Sequence, residues 1–157
     1  MAYRIFLSHS GTDKEWVKWI ASNANNIGIH VYLYEHDPQP GTLIADKIKQ
    51  AIQNSDALVV LLTRNSQFSP YVQQEIGFAE ANRKRIIPLV QPGIQNQGLA
   101  MLEGREYIPF DFYNPQNALS TLLGYLQQLK KAKENEQAAL MGLGALILLA
   151  LALSGEQ

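Results

Sequence analysis

Residues Ala57–Leu62 read ALVVLL, six apolar positions in a row, and this run decides the fold class. A strand with one face exposed to solvent alternates apolar and polar side chains. An unbroken apolar run is instead typical of a central strand covered on both faces. The stretch SPYVQQEIGFAEANRK (residues 69–84) follows with helical periodicity, and Ser69 and Pro70 suit its N-cap and first turn. Together they predict a buried strand followed by a helix.

Apolar runs and helical patterns alternate along the rest of the chain. Further strands are predicted at residues 3–7, 29–34, 85–90 and 106–110. Thr12 and Glu15 form a capping box for the first of three more helices. The apolar positions of these helices are spaced at three and four residues: Trp16, Ile20, Ala24 and Ile27; Leu43 or Ile44, Ile48 and Ile52; and, after Asn114 and Pro115, Leu119, Leu122, Leu123, Leu126 and Leu129.

This alternation predicts a parallel sheet with helices on both faces. The common small architecture with five such units is flavodoxin-like, with strand order 2-1-3-4-5. Ligands of these sheets bind beyond the carboxyl ends of the strands, where the winding reverses between strands 1 and 3. The loops at that point are SHSGTD (residues 8–13) and TRNSQFSPY (residues 63–71).

A carboxylate interrupts the apolar face of the helix at residues 69–84. At 100° per residue, Glu75 falls within the arc that we expect to be buried, which holds Tyr71, Val72, Ile76, Phe78 and Ala79. Burial of a charge is costly, so the position indicates either a functional carboxylate in the predicted cleft or a partly exposed one paired with Arg or Lys.

Composition excludes several classes of protein. The 157 residues include 13 basic and 14 acidic side chains, so no overall charge favours nucleic-acid binding. The absence of cysteine excludes disulfide scaffolds and thiolate zinc sites. The N-terminal residues lack the pattern of a secretory signal. No GxxxxGK[ST] or GxGxxG motif is present, which argues against a P-loop and a dinucleotide-binding turn. The SHSGT loop leaves flavin phosphate binding as an alternative.

The C-terminal region contains a long uncharged segment. Residues 138–155, AALMGLGALILLALALSG, would span about 27 Å as a helix, close to the thickness of a thin bilayer. Lys130, Lys131 and Lys133 precede it, so the positive-inside rule predicts a transmembrane tail anchor with the main domain in the cytoplasm. The alternative is an apolar helix buried in an oligomer or against a partner.

Four motifs in order resemble those of Toll/interleukin-1 receptor (TIR) domains, over about residues 3 to 128. RIFLSHSGTDK (residues 4–14) resembles the first box of the family, and YEHDPQPGTLIADKIKQAI (residues 34–52) resembles the loop and helix after its second strand. SDALVVLLTRNSQFSPYVQQE (residues 55–75) resembles the third strand and the Ser-x-Trp-x-x-x-Glu start of the next helix, and RIIPLV (residues 85–90) resembles the fourth strand. We therefore divide the chain into a TIR domain (1–128), a charged linker (129–137) and an apolar helix (138–155).

The resemblance is to small bacterial TIR proteins of antiphage defence, the Thoeris type among them. It implies cleavage of the nicotinamide–ribose bond of NAD⁺, as a glycohydrolase or ADP-ribosyl cyclase, with Glu75 as the catalytic residue. NAD⁺ would be the substrate, and no separate cofactor or metal is implied. A cationic nicotinamide leaves as a neutral base, so one carboxylate that stabilises the developing ribosyl cation can suffice.

The resemblance also implies residues that contact the substrate. They are Phe6, His9, Ser10, Gly41, Ser69 and Tyr71. Tyr71 stands where the family usually has Trp, and with Phe78 it would form an apolar wall beside Glu75. Several have structural alternatives: Phe6 suits the core, Ser69 an N-cap and Gly41 a turn with positive φ.

The expected partners follow from the same resemblance. The loop from Asp37 to Thr42 would gate the pocket and contact other TIR domains in a homo-oligomer. An effector would sense the ADP-ribose product, no nucleic acid is involved, and residues 138–155 would attach the cytoplasmic domain to the inner membrane. Two alternatives are a TIR scaffold without catalytic activity and a relative of nucleoside deoxyribosyltransferases, which also set a Glu against a glycosidic bond.

Overall fold

Five parallel strands form one sheet in the computed structural model, which describes residues 2–34, 43–94 and 103–155. The strands are β1 (Tyr3–Ser8), β2 (Ile29–Tyr32), β3 (Ala57–Leu62), β4 (Arg85–Val90) and β5 (Ile108–Pro109). Their order is β2-β1-β3-β4-β5, and every neighbouring pair is parallel. The predicted fold class and strand order are confirmed, although β2 and β5 are shorter than their apolar runs.

Four α-helices connect or follow the strands: α1 (Lys14–Asn26), α2 (Ile44–Gln53), α3 (Pro70–Ala81) and α4 (Pro115–Ser154). A 3-10 turn at Gly11–Asp13 leads into α1. Helices α1 and α4 cover one face of the sheet, and α2 and α3 cover the other. The helices therefore lie on both faces, as the alternating pattern predicts.

The central strand β3 supplies both halves of the core because all six of its residues are buried. Val59 and Leu61 pack toward α1 and α4, whereas Leu58, Val60 and Leu62 pack toward α2 and α3. Side chains of a strand point alternately to opposite faces, so an unbroken apolar run satisfies two helical layers at once.

Two predicted helix features are wrong. Helix α1 begins at Lys14 with Asp13 as its N-cap, no side chain caps it, and Thr12 lies in the preceding 3-10 turn. The capping box does not form because the Asp13 position is held by tertiary hydrogen bonds described below. In α2, Leu43 is 70% exposed and Ile44 is also exposed, so only the C-terminal part of the predicted stripe, ending at buried Ile52, reaches the core.

Helix α3 begins as predicted and buries a narrower face than predicted. The Ser69 hydroxyl accepts a hydrogen bond from the backbone N–H of Val72 at 3.4 Å, and Pro70 occupies the first turn. Val72, Ile76 and Ala79 are buried with Glu75. Tyr71 is 72% exposed, so its predicted place in the buried arc is wrong. It lies about 100° around the helix from Val72, on the flank of the stripe that meets the sheet.

Helix α4 is a continuous helix of 40 residues that runs from the domain into the apolar segment. Ala118, Leu119, Leu122 and Leu126 are its buried residues. The charged residues 129–137 are helical and continuous with both neighbouring segments. Beyond them the apolar side chains are exposed, and by length and composition this helix can cross a membrane.

Candidate functional site

Glu75 lies on the second turn of α3, which begins just after the carboxyl end of β3. Its side chain is buried, with 8% relative exposure. Burial raises its pKa to about 7, and the Ser8 hydroxyl at the end of β1 partly offsets this by lowering it. Because Ser8 ends β1 and α3 follows the neighbouring strand β3, Glu75 lies at the edge where the sheet predicts a cleft.

No cation neutralises the Glu75 carboxyl among the residues that the structure describes. The two ion pairs in those ranges join Arg105 to Glu80 and Lys133 to Asp56, each at 2.9 Å. A partly exposed, ion-paired carboxylate is therefore the wrong description of Glu75. Desolvation without a compensating charge instead favours the neutral form and brings the pKa close to neutrality.

Three buried polar atoms lack hydrogen-bond partners within residues 2–34, 43–94 and 103–155. They are Glu75 Oε2, Ser8 Oγ and Gln67 Oε1. The Ser8 hydroxyl therefore lowers the pKa of Glu75 without forming a hydrogen bond of ordinary length and angle to it. Ser8 ends β1, and Gln67 lies in the loop between β3 and α3. An unsatisfied buried polar group costs about 1–3 kcal/mol, so such groups are uncommon unless they serve a function. All three come from segments at the carboxyl edge of the sheet.

A network around Asp13 fixes the two loops that border this edge. Asp13 is buried, and its Oδ2 accepts hydrogen bonds from Thr63 Oγ1 at 2.7 Å and Ser10 Oγ at 3.0 Å. Its Oδ1 accepts one from Asn65 Nδ2 at 3.3 Å. Ser66 adds to the network, because its hydroxyl donates to the Leu61 carbonyl and accepts from the Thr63 N–H. The loops after β1 and β3 are thereby joined, which limits the motion of the site.

The other predicted site residues occupy different surroundings. Phe6 is buried in the layer below α2 and α3, and its ring stacks on Tyr32 with centroids 5.4 Å apart. His9 is half-buried, with Nδ1 at 3.1 Å from the Leu7 carbonyl oxygen. Ser10 donates to Asp13, and Ser69 caps α3.

Two predictions for the wall and gate of the pocket have different outcomes. Exposed Tyr71 cannot form a dry wall with Phe78, which is half-buried, so that prediction is wrong. Gly41 and the loop from Asp37 to Thr42 lie outside the described residues. Substrate contact by the predicted residues stays a prediction.

Sequence reasoning missed Ser8, Asp13 and Gln67. Ser8 and Asp13 fall in the quoted SHSGTD loop, and Gln67 falls in TRNSQFSPY. Their signal was that both quoted loops are polar and lie at the carboxyl ends of neighbouring strands. No group of His, Cys, Asp or Glu suited to a metal ion occurs among the described residues.

Comparison with known proteins gives the family and the fold. The sequence matches the family described as TIR domain over residues 5–123. No curated protein matches the sequence. Similar solved structures include the TIR domains of the Roq1 resistosome (TM-score 0.62, 16% identity, covering 80% of this chain and 99% of that one).

Two further structures have the same fold. One is the TIR domain of the Toll-related receptor TRR-2 from Hydra magnipapillata, with TM-score 0.63, 18% identity and coverage of 78% and 97% of the two chains. The other is a CMP N-glycosidase, BcmB, from Clostridium botulinum, with TM-score 0.59, 22% identity and coverage of 78% and 98%. The family match spans more than half of the sequence and agrees with the sheet order and with the motifs around Glu75. This chain belongs to the TIR domain family.

Proposed function

We propose that this TIR domain cleaves the bond between nicotinamide and ribose in NAD⁺, with Glu75 as the catalytic carboxylate. The observation that carries the proposal is a buried carboxyl at the carboxyl edge of the sheet, with a pKa of about 7 and no cationic partner among the described residues. In the hydrolytic reaction, NAD⁺ and water give ADP-ribose, nicotinamide and a proton.

The chemistry of NAD⁺ fits a single carboxylate. Positive charge moves from the nicotinamide ring to the ribose as the bond breaks, so the leaving base needs no proton. Ionised Glu75 would stabilise that positive ribose, and its poor solvation strengthens the interaction. The bound cation would itself favour the ionised form of Glu75, because an opposite charge lowers the pKa of a carboxyl.

Release of nicotinamide tests the proposal. We expect purified full-length chain to release nicotinamide from NAD⁺ and Glu75→Gln to lose at least about 100-fold in kcat/KM, because Gln keeps the shape and removes the charge. Glu80→Gln is the matched control, since Glu80 lies on the same helix but is exposed and paired with Arg105. Equal rates for wild type and Glu75→Gln would remove Glu75 from the mechanism.

A nucleotide with a neutral base is a second candidate substrate, favoured by the likeness to a CMP N-glycosidase and by the raised pKa of Glu75. Cytosine leaves CMP as a poor leaving group unless it is protonated, so here Glu75 would have to act as an acid. The two substrates predict opposite pH dependence: kcat/KM for NAD⁺ rises through about pH 7, and that for CMP falls. Turnover of CMP without turnover of NAD⁺ would show that the substrate is a nucleotide with a neutral base.

The biological role is part of the same proposal. Assembly with other TIR domains through the loop from Asp37 to Thr42, and an effector that senses an ADP-ribose product, follow from the resemblance to bacterial antiphage proteins. We also propose that residues 138–155 anchor the domain to the inner membrane, since this segment is apolar and exposed. Protection of bacteria against phage by wild type and not by Glu75→Gln would support the role. Protection by both would favour a scaffold.

A further inference from the structure

The amino end of the sheet, opposite the edge that holds Glu75, is joined firmly to α4. Lys133 Nζ lies 2.9 Å from Asp56 Oδ1 and donates to the Ala2 carbonyl oxygen at 3.2 Å. It also lies 6.0 Å from the centre of the Tyr3 ring. Asp56 is held in turn by the Arg4 N–H at 2.7 Å. These residues stand at the starts of β1 and β3, so α4 passes the amino end of the sheet at Lys133.

Basic side chains gather around this junction. They are Arg4, Arg83, Lys84 and Arg85 at the starts of β1 and β4, and Lys130, Lys131 and Lys133 on α4. Arg85 donates to the Tyr125 hydroxyl of α4 at 2.8 Å, which places the start of β4 beside that helix. We call these seven residues the basic surface.

Acidic residues near the basic surface are fewer. Asp56 is paired with Lys133, and Glu80 is paired with Arg105. Glu103 and Glu106 precede β5, and Glu134 and Glu136 follow on α4. The amino end is therefore net positive in a chain whose net charge is −1, so the remainder is net negative. Such charge separation produces a directed field rather than a uniformly solvated surface.

The apolar segment begins close to the basic surface. Residue 138 is five positions after Lys133 in a continuous helix, a rise of about 7.5 Å. If the segment enters a bilayer at that residue, the basic surface lies within about one Debye length, roughly 8 Å, of the lipid headgroups. At that distance Lys and Arg side chains are attracted to an anionic membrane surface.

We propose that the basic surface binds anionic phospholipid headgroups and holds the sheet with its carboxyl edge, and therefore Glu75, facing away from the bilayer. The proposal rests on the membrane-anchor part of the proposed function and is independent of which glycosidic bond is cleaved. The amino end of the sheet meets the lipid, and the site lies about 20 Å farther out, the length of a six-residue strand.

Energy transfer to labelled lipid headgroups tests the orientation. The chain has no cysteine, so Asn54→Cys at the amino end and Tyr113→Cys at the carboxyl end each give one labelling position. Both positions are exposed. In vesicles with about 30% anionic lipid, we expect transfer from position 54 to exceed that from position 113 by at least roughly twofold. In about 0.5 M salt the difference should shrink, because screening weakens the attraction.

A charge variant tests whether the basic surface causes the difference in energy transfer between positions 54 and 113. The double variant Arg83→Gln with Lys131→Gln removes two exposed cations from the basic surface. We expect this variant to reduce the difference in energy transfer between positions 54 and 113 in anionic vesicles and not in neutral ones. Lys14→Gln with Lys18→Gln makes the same charge change on exposed positions of α1 and should have no effect. Equal transfer at both labels, or equal effects of the two double variants, would overturn the proposal.

Flotation with purely neutral vesicles distinguishes a failure of this proposal from a failure of the proposed membrane anchor. Headgroup charge is absent there, so flotation reports the apolar segment alone. A chain that fails to float with neutral vesicles overturns the anchor. A chain that floats but gives equal transfer at positions 54 and 113 overturns the basic surface alone. Nicotinamide release is measured in a separate assay. A failure of the proposed NAD⁺ cleavage therefore changes neither the flotation result nor the energy-transfer result.

Discussion

At the scale of the residue, the folded chain disfavours the charged form of Glu75. Its pKa is about 7 against a usual value of 4.5, and burial is the main cause. One pKa unit corresponds to about 1.4 kcal/mol, so keeping the ionised form buried costs roughly 3 kcal/mol. A domain that retains such a group in its core gives up stability at that position, which is common at sites of function.

The pH dependence of stability should report this cost. The folded state binds the Glu75 proton more tightly than the unfolded state, so the free energy of unfolding falls as pH rises from about 4.5 to about 7. Glu75→Gln carries no titrating group and should gain roughly 2–3 kcal/mol over wild type between pH 4 and pH 8. Urea unfolding of both proteins at several pH values measures this difference in the free energy of unfolding.

The exposed neighbour provides the comparison. Glu80→Gln changes the same chemical group at an exposed position of the same helix, so it is the control for an effect that depends on burial. A difference between wild type and Glu75→Gln that does not change between pH 4 and pH 8 would show that Glu75 is solvated in the folded state.

Ser8 provides a second prediction at this scale. Its hydroxyl lowers the pKa of Glu75, so Ser8→Ala should raise that pKa and move the midpoint of the kcat/KM profile for NAD⁺ to higher pH. Ser55→Ala is the control, because Ser55 is also buried but its hydroxyl donates to the Ala51 carbonyl at the other end of the sheet. A lower rate in Ser8→Ala with an unchanged midpoint would mean that Ser8 acts only through packing.

At the scale of the element, the sequence predicts best where one local pattern has one structural solution. β3 is apolar throughout, and the Ser69-Pro70 pair has a single use at the start of α3, so both are found as predicted. Tyr71 fails because a 100° spacing does not say how wide the buried stripe is. Glu75 is unusual because it is buried, and that burial depends on parts of the chain distant in sequence, such as Ser8, 67 positions earlier, which no local pattern contains.

Helix α4 illustrates a different limit. KKAKENEQ looks like a linker by its charge, yet Lys, Ala, Glu and Gln are all good helix formers, and the segment continues a helix on both sides. Tertiary contact adds to this propensity, since Lys133 reaches Asp56 and the Ala2 carbonyl. The prediction of a linker rested on charge alone, and charge says nothing about the backbone conformation of a segment.

The contact of Lys133 with the start of β3 is a testable part of this helix. Both partners are about one-quarter exposed (27% and 26%), so solvent screens the pair only in part. Lys133→Ala should lower the free energy of unfolding by about 1 kcal/mol, because it leaves Asp56 without its cation. Lys131→Ala removes an exposed lysine two positions away and should change the free energy of unfolding by less than about 0.5 kcal/mol. Equal effects in urea unfolding would show that the Lys133 contact adds nothing to stability.

At the scale of the whole molecule, the fold places two different clusters of polar side chains at opposite ends of the sheet. The carboxyl edge holds Glu75, Ser8 and the Asp13 network, whereas the amino end holds the junction with α4. Among the residues that the structure describes, the last buried hydrophobic one is Leu126 and the last one packed against the core is Leu129, so the core ends before the apolar segment begins. Changes to the segment should therefore alter where the protein resides without altering how the domain folds.

Deletion of residues 138–157 tests this separation. We expect the shortened chain to keep its thermal midpoint within about 2 °C of full length, since no described residue of the segment is buried. We also expect it to move from the membrane fraction to the soluble fraction after detergent-free lysis. Leu146→Asp with Leu149→Asp keeps the chain length and should have the same effect, because each charge at the centre of a span costs roughly 3 kcal/mol.

The outcomes of this fractionation have distinct meanings. Full-length chain in the soluble fraction would contradict the anchor and favour burial of the segment in an oligomer. A shortened chain that stays with the membrane at low salt and leaves it at about 0.5 M salt would assign the attachment to the basic surface instead, since screening releases electrostatic contacts and not apolar insertion. The thermal midpoint is the internal control, because a shift of more than about 5 °C would mean that the segment also stabilises the domain.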